Sequence, residues 1–306
     1  MRIGLSAAGT SVEQIVLQAK RAEADGFTSL WYASPLLGDP LAAMVAAGRA
    51  TSVIELSTAA LQTYACHPVL QAARAAATAA AIGGTGRFSL GLGPSHPEIV
   101  QGQLGLPYST PGRHTEEYVR IVVPLLRGER VRFDGQEFRV DAGPLPLAGD
   151  AAVPVLVAAL GPRLLRVAGM FAAGTLLWLA NAAAIERHVA PRIRQAAASA
   201  GLPEPRIVAG LPVAVHDDVA EARAAAAQLY ARYASRPAYQ GILGQGGAAG
   251  PADVIIAGDE RRVAAHVRAL FEAGATDVRL EPFGVGPDSA ASLARTGALL
   301  RELVRG

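Results

Sequence analysis

The feature that most limits what this chain can fold into is its rhythm. Short apolar runs alternate with amphipathic stretches, and eight such pairs follow one another along 306 residues. The strand-like runs are Ile3–Ser6, Ser29–Ala33, Ile54–Leu61, Arg87–Leu92, Pro154–Leu160, Gly174–Leu179, Ile207–Val215 and Asp277–Glu281. Helical spacing fills the gaps, first at Val12–Ala24, which stops at Asp25-Gly26, a glycine C-cap. The helix after the third run opens at His67-Pro68, with proline in its first turn, and stops at Gly83-Gly84. Strands alternating with helices make a barrel or a doubly wound sheet, and the count of eight predicts a (β/α)8 TIM barrel, one domain over 1–306. Ala7-Ala8-Gly9-Thr10 after the first strand is not G-x-G-x-x-G, which argues against a dinucleotide Rossmann site. Two insertions interrupt the rhythm. In Val131–Val140, "VRFDGQEFRV", Asp134-Gly135 separates two alternating runs and predicts a hairpin outside the barrel. The glycine-rich segment 235–251 is expected to be irregular.

Composition narrows the partners. Half the residues (51%) are hydrophobic, enough for a large core, and a net charge of +2 gives no electrostatic case for nucleic acid. The hydrophobicity comes from alanine and no unbroken apolar run is long enough for lipid, so no membrane partner is expected. Met1–Ser6 is too short for a signal peptide, and the lone Cys66 rules out an internal disulfide; both fit a cytoplasmic protein. Scattered histidines without H-x-x-x-H, H-E-x-x-H or C-x-x-C spacing predict no metal. Lys20, the only lysine, lies in the first helix, away from the strand ends where a Schiff base would form.

In a barrel, chemistry belongs to the loops after the strands. Gly161-Pro162-Arg163 opens the helix after strand five with free N–H groups and a positive dipole end. It reads as an anion site that Arg163 could reinforce, or as a plain strand-to-helix turn. Thr58–Pro68, "TAALQTYACHP", ends strand three in small residues on which a flat ring could lie. His67 there is either part of the site or a helix-entry residue, and Cys66 has no evident base partner for a nucleophile. Gly91-Leu92-Gly93-Pro94-Ser95-His96 is an open turn presenting Ser95 and His96 at the rim, where a histidine can move a proton near neutral pH or be only a surface residue. Trp178, near the end of strand six, walls a ring pocket or packs the barrel core. Arg113, His114 and Glu117 cap the helix they begin or bind a ligand tail.

These segments resemble one family, in order and over nearly the whole chain. Gln18–Tyr32, Arg87–His96, Gly112–Val140, Ala159–Trp178 and Ala248–Val278 are similar to the luciferase-like monooxygenase superfamily, most of all to its actinobacterial F420-dependent branch. That branch includes methylenetetrahydromethanopterin reductase and F420-dependent glucose-6-phosphate dehydrogenase. The resemblance implies a TIM barrel with an insertion after strand seven, and a bulge at the end of strand three, often with a non-proline cis peptide. Here Thr58, Ala59, Ala60 and Leu61 would back a deazaflavin ring, with Gly93, Pro94 and Trp178 beside it. Leu160, Gly161, Pro162 and Arg163 would hold the cofactor phosphate. His96 would carry the proton, and Ser95 or Tyr64 would orient a small-molecule substrate. The resemblance leaves room for a homodimer. Two departures matter: Ala173-Gly174 opens strand six in place of Asp-Gly, and Ala33-Ser34-Pro35 replaces the Asp-His pair that the dehydrogenases carry after strand two. Lacking that histidine, the chain is expected to be an F420-dependent oxidoreductase reducing an imine or an activated C=C bond. The alternatives are an FMN-dependent monooxygenase of the same fold and a non-catalytic flavin-binding protein.

Overall fold

The structure is a computed structural model that describes residues 1–7, 9–33, 39–83, 86–146 and 153–306. The expectations for Ala8, Gly84 and the Ser34–Pro35 departure, and most of the loop 36–39, lie outside the described residues. Eight parallel strands close into a ring: β1 (Arg2–Ala7), β2 (Ser29–Tyr32), β3 (Glu55–Thr58), β4 (Phe88–Gly93), β5 (Val155–Ala158), β6 (Gly174–Leu176), β7 (Arg206–Val215) and β8 (Asp277–Pro282). Each pairs with the next in sequence, and β8 returns to pair with β1, Arg2 opposite Asp277. The surrounding helices are α1 (Val12–Asp25), α2 (Pro40–Arg49), α3 (Pro68–Ile82), α4 (Pro111–Leu126), α5 (Pro162–Phe171), α6 (Ala190–Ser199), α7 (Glu260–Glu272) and α8 (Ser289–Arg305).

Local chemistry explains these boundaries. The Ser11 hydroxyl caps α1 and the Asp39 carboxylate caps α2 through their first free N–H groups. At α3 the cap is His67, whose Nδ1 accepts the Val69 N–H at 3.3 Å, so His67 is a helix-entry residue. Glu117 does not cap its own helix: its carboxylate accepts the N–H groups of Gln136, Glu137 and Phe138 at 2.8–3.1 Å. The expected hairpin forms between Val131–Asp134 and Arg139–Ala142, and Glu117 holds its four-residue loop.

The structure departs from the sequence-based expectation in three places. Strand three breaks after Thr58, and a separate pair of residues, Leu61–Gln62, bonds to β4. The segment near 235–251 is not irregular throughout: Pro237–Gln245 is a helix, started by Pro237 in its first turn and anchored by buried Ile242 and Leu243. The sequence pattern over Ala182–Ala200 predicts one continuous helix, whereas the structure has a π turn at Ile185–Val189 before α6 begins. No helix among the described residues is long and apolar enough to cross a membrane.

Inside the ring, two layers rise from the N-terminal end. The lowest is ionic: Arg206 bridges Glu55 at 2.8 Å and Asp277 at 2.7 Å, Arg2 bonds both acids, and Ser89 donates to Glu55. Above it lies an apolar plug of Trp31, Leu156, Leu176 and Val208, reached at its upper edge by Ala59, Ala60 and Ala158.

Candidate active site

The C-terminal face begins where β3 breaks. Thr58 is buried, and its hydroxyl both donates to the Gly91 carbonyl and accepts the Gly91 N–H, each at 2.9 Å. This clamp ties the end of β3 to β4. The Ala59–Ala60 peptide that follows is cis, within the segment where the resemblance placed one. Gly93 lies between the two neighbouring alanines: a Cβ there would stand 3.0 Å from the Ala158 methyl and 3.6 Å from that of Ala60. Ala59, Ala60, Gly93 and Ala158 thus make a floor without large side chains.

The turn after β4 rises from this floor. Ser95 has φ of 64°, a left-handed conformation unusual for a residue with a side chain, and the Tyr108 hydroxyl fixes it by donating to the Ser95 carbonyl at 2.9 Å. His96 follows, half-buried and extended. Burial lowers its pKa below the ordinary imidazole value, Arg236 and Arg232 push the same way, and Glu98 opposes them. Arg236 forms an ion pair with Glu98, joining the insertion after β7 to the His96 turn. Tyr64 stacks on the buried His114 at 3.7 Å and stands 5.3 Å from the Tyr108 ring. Burial pushes both phenols up to about 12, so both remain hydrogen-bond donors at neutral pH.

On the far side of the floor, Gly161 caps α5 without a side-chain bond, and the space where its Cβ would stand is open. Pro162 has no N–H to offer, and the N–H groups that follow it in the first turn of α5 have no side-chain cap. The Arg163 side chain is directed to Glu116 at 3.1 Å, away from the role of sole donor at the start of α5. Leu160, just before it, has its carbonyl held by the buried His188 Nε2 at 3.0 Å, and the π turn carries that histidine.

Sequence reasoning missed the roof and one wall. Tyr233 and Tyr239, on the insertion after β7, pack with ring centroids 4.7 Å apart; Tyr239 also stands 6.2 Å from the His96 ring. Trp178 meets Tyr230 and Tyr233 edge to face. Arg279 of β8 lies under the Trp178 ring, its Cζ 4.8 Å from the centroid. A signal for Arg279 was present: Asp277, Arg279 and Glu281 alternate with Val278 and Leu280, so one face of strand eight is charged, and in a barrel that face turns inward. Among the described residues no cluster of three metal-binding side chains occurs.

A closed (β/α)8 ring whose polar and aromatic groups converge on its C-terminal face defines a barrel of the enzyme-bearing class. Within that class the chain belongs to the luciferase-like monooxygenase family, whose sequence profile matches residues 2–277. It is 30% identical over 173 residues to the 5,10-methylenetetrahydromethanopterin reductase of Methanolobus tindarius, covering 54% of this chain and 50% of that protein. It is 33% identical over 132 residues to the F420-dependent glucose-6-phosphate dehydrogenase of Mycobacterium avium, covering 42% of this chain and 39% of that protein. The chain thus spans half or less of the length of these relatives. Among solved structures, the monooxygenase RslO1 from Streptomyces bottropensis shares the fold with a TM-score of 0.76 at 21% identity, covering 99% of this chain and 98% of that one.

Proposed function

We propose that the protein is an F420-dependent oxidoreductase that reduces an imine or an activated C=C bond of a small organic substrate. One arrangement carries this reading: the flat floor of Ala59, Ala60, Gly93 and Ala158 beside His96, with the uncapped start of α5 across from it. The fit to the cofactor is both steric and electrostatic. A tricyclic ring needs a floor with no projecting side chain, and its phosphate needs free N–H groups at a positive helix end. Ala59, Ala60 and Leu61 would back the ring, with Gly93, Pro94 and Trp178 at its edges. Gly161–Arg163 would hold the phosphate, chiefly through the backbone because Glu116 already engages the Arg163 side chain. The bound deazaflavin would supply a hydride; the rest falls to the protein. His96 holds the proton destined for the atom beside the reduced carbon, and Ser95 and Tyr64 orient the substrate. F420-dependent relatives support the cofactor assignment.

The test is a pair of titrations with oxidised F420 and with FMN, followed by absorbance and tryptophan fluorescence. Micromolar or tighter F420 binding with weak FMN binding is expected. The reverse preference would make the protein a flavin monooxygenase, and binding of neither would remove the cofactor assignment.

A further inference from the structure

Arg279 has a place in the molecule that the cofactor does not explain. The residue is 5% exposed and stands where β7 has left it room: a Cβ on Gly210 would lie 2.6 Å from Arg279 Nη2 and 3.0 Å from the Trp178 ring. Nη1 donates to the Ser6 hydroxyl at 3.1 Å, toward the C-terminal end of β1. Among the described residues Nε has no hydrogen-bond partner and no carboxylate lies within ion-pair distance. Glu281, two residues along the same strand, is engaged elsewhere, accepting from the Tyr230 hydroxyl at 3.1 Å. Burial acts to lower the Arg279 pKa, with Glu281 and the hydroxyls of Tyr233 and Tyr239 opposing it. A buried cation without an ion-pair partner is expensive, and an anionic ligand would offset that cost.

The free edge says which counter-charge. With Nη1 committed to Ser6, the guanidinium presents Nε–H and Nη2–H, the fork that matches the two oxygens of a carboxylate. The Trp178 indole N–H, on the ring that Arg279 covers, is also without a partner among the described residues. Arg232 and Arg236 stack on the Tyr233 ring, Arg236 already paired with Glu98, so what favours a carboxylate at Arg279 is the planar side-on fork, which fits two coplanar oxygens. The roof of Tyr233 and Tyr239 links this wall to His96 across the mouth.

We propose that Arg279 binds a carboxylate of the substrate side-on, so that the protein acts on small organic acids whose reducible bond reaches toward His96. This rests on the oxidoreductase reading for the reaction but not for the binding, and the experiment keeps the two apart. Without cofactor, the wild-type protein is titrated calorimetrically with crotonate, crotonamide, cinnamate and cinnamamide. Each acid should bind at least tenfold tighter than its amide. Arg279→Met should abolish that preference and leave F420 affinity unchanged. Arg279→Lys, which keeps the charge but lacks the fork, should retain only part of it. Equal binding of acid and amide by the wild type, binding of none of the four, or an acid preference that survives in Arg279→Met would each overturn the proposal. Should F420 fail to bind while the acid preference depends on Arg279, the cofactor assignment falls and the carboxylate site stands.

Discussion

The two ends of the barrel treat charge in opposite ways. At the N-terminal end, two arginines and two acids from β1, β3, β7 and β8 satisfy one another, helped by Ser89 and Thr276. At the C-terminal end, Arg279 is buried against the Trp178 ring with the Ser6 hydroxyl as its hydrogen-bond partner, and among the described residues the Nε1 of Trp178 has none. Both ends bury charge, two carboxylates at the N-terminal end and one guanidinium at the C-terminal end, so burial alone does not distinguish structure from function. Pairing does: a closed network holds the strands in register, and an open one is shaped for something that comes and goes.

The largest expected effect tests the closed end. Glu55→Gln leaves Arg206 and Arg2 with Asp277 as their shared acid, and because both guanidinium groups reach solvent it should cost about 2–3 kcal/mol in urea unfolding, below the full loss of a buried pair. The same end gives the pH dependence. Burial acts to raise the pKa of Asp277, but Arg206, Arg2 and Thr276 outweigh it and hold it below the ordinary value. The folded chain therefore binds fewer protons than the unfolded one. The stabilisation is complete above about pH 3.9 and is lost as pH falls through the folded value, which acid unfolding with and without Asp277→Asn would measure.

Next in size is an effect at the open end. His96→Gln should lower kcat for reduction on the order of 100-fold and leave F420 affinity unchanged. Because the His96 pKa is lowered, the imidazole is mostly neutral at pH 7, and the acid form needed for reduction grows as pH falls below about 6.5. The wild-type rate should rise over that interval, and the variant's profile should be flat. Arg163→Glu comes third. It adds repulsion at the start of α5 but removes no sole donor, so F420 affinity should fall by about 1–2 kcal/mol. The smallest effect would sharpen the comparison most. Arg279→Met removes a charge with no ionic partner, so thermal unfolding should change by less than about 1 kcal/mol, in either direction. A loss as large as that of Glu55→Gln would erase the distinction between the two ends.

Much of the barrel was legible because its signals are local. A strand-to-helix turn announces itself by Pro162 or His67-Pro68, and the alternation of runs counts the strands. The floor and the α5 start were legible for the same reason, as small residues and prolines at strand ends. What could not be read depends on partners distant in sequence. Nothing near Glu117 tells that it holds a hairpin loop 19–21 residues away. The helix Pro237–Gln245 is anchored by two buried side chains, while its glycines argue locally for a loop. Arg2, Arg206 and Arg279 are alike as letters, and only the ring closure decides which of them meets an acid.

The ion pair between Arg236 and Glu98 has a kinetic meaning as well. It fastens the tyrosine-bearing insertion to the turn that carries His96, and its acid is half exposed to solvent. Salt weakens such a pair while hardly touching the packed layers beneath. How long a ligand dwells under the tyrosines should therefore shorten with ionic strength, as stopped-flow dissociation at low and high salt would show. The strand scaffold sets which molecule fits, and one solvated latch sets how quickly it leaves.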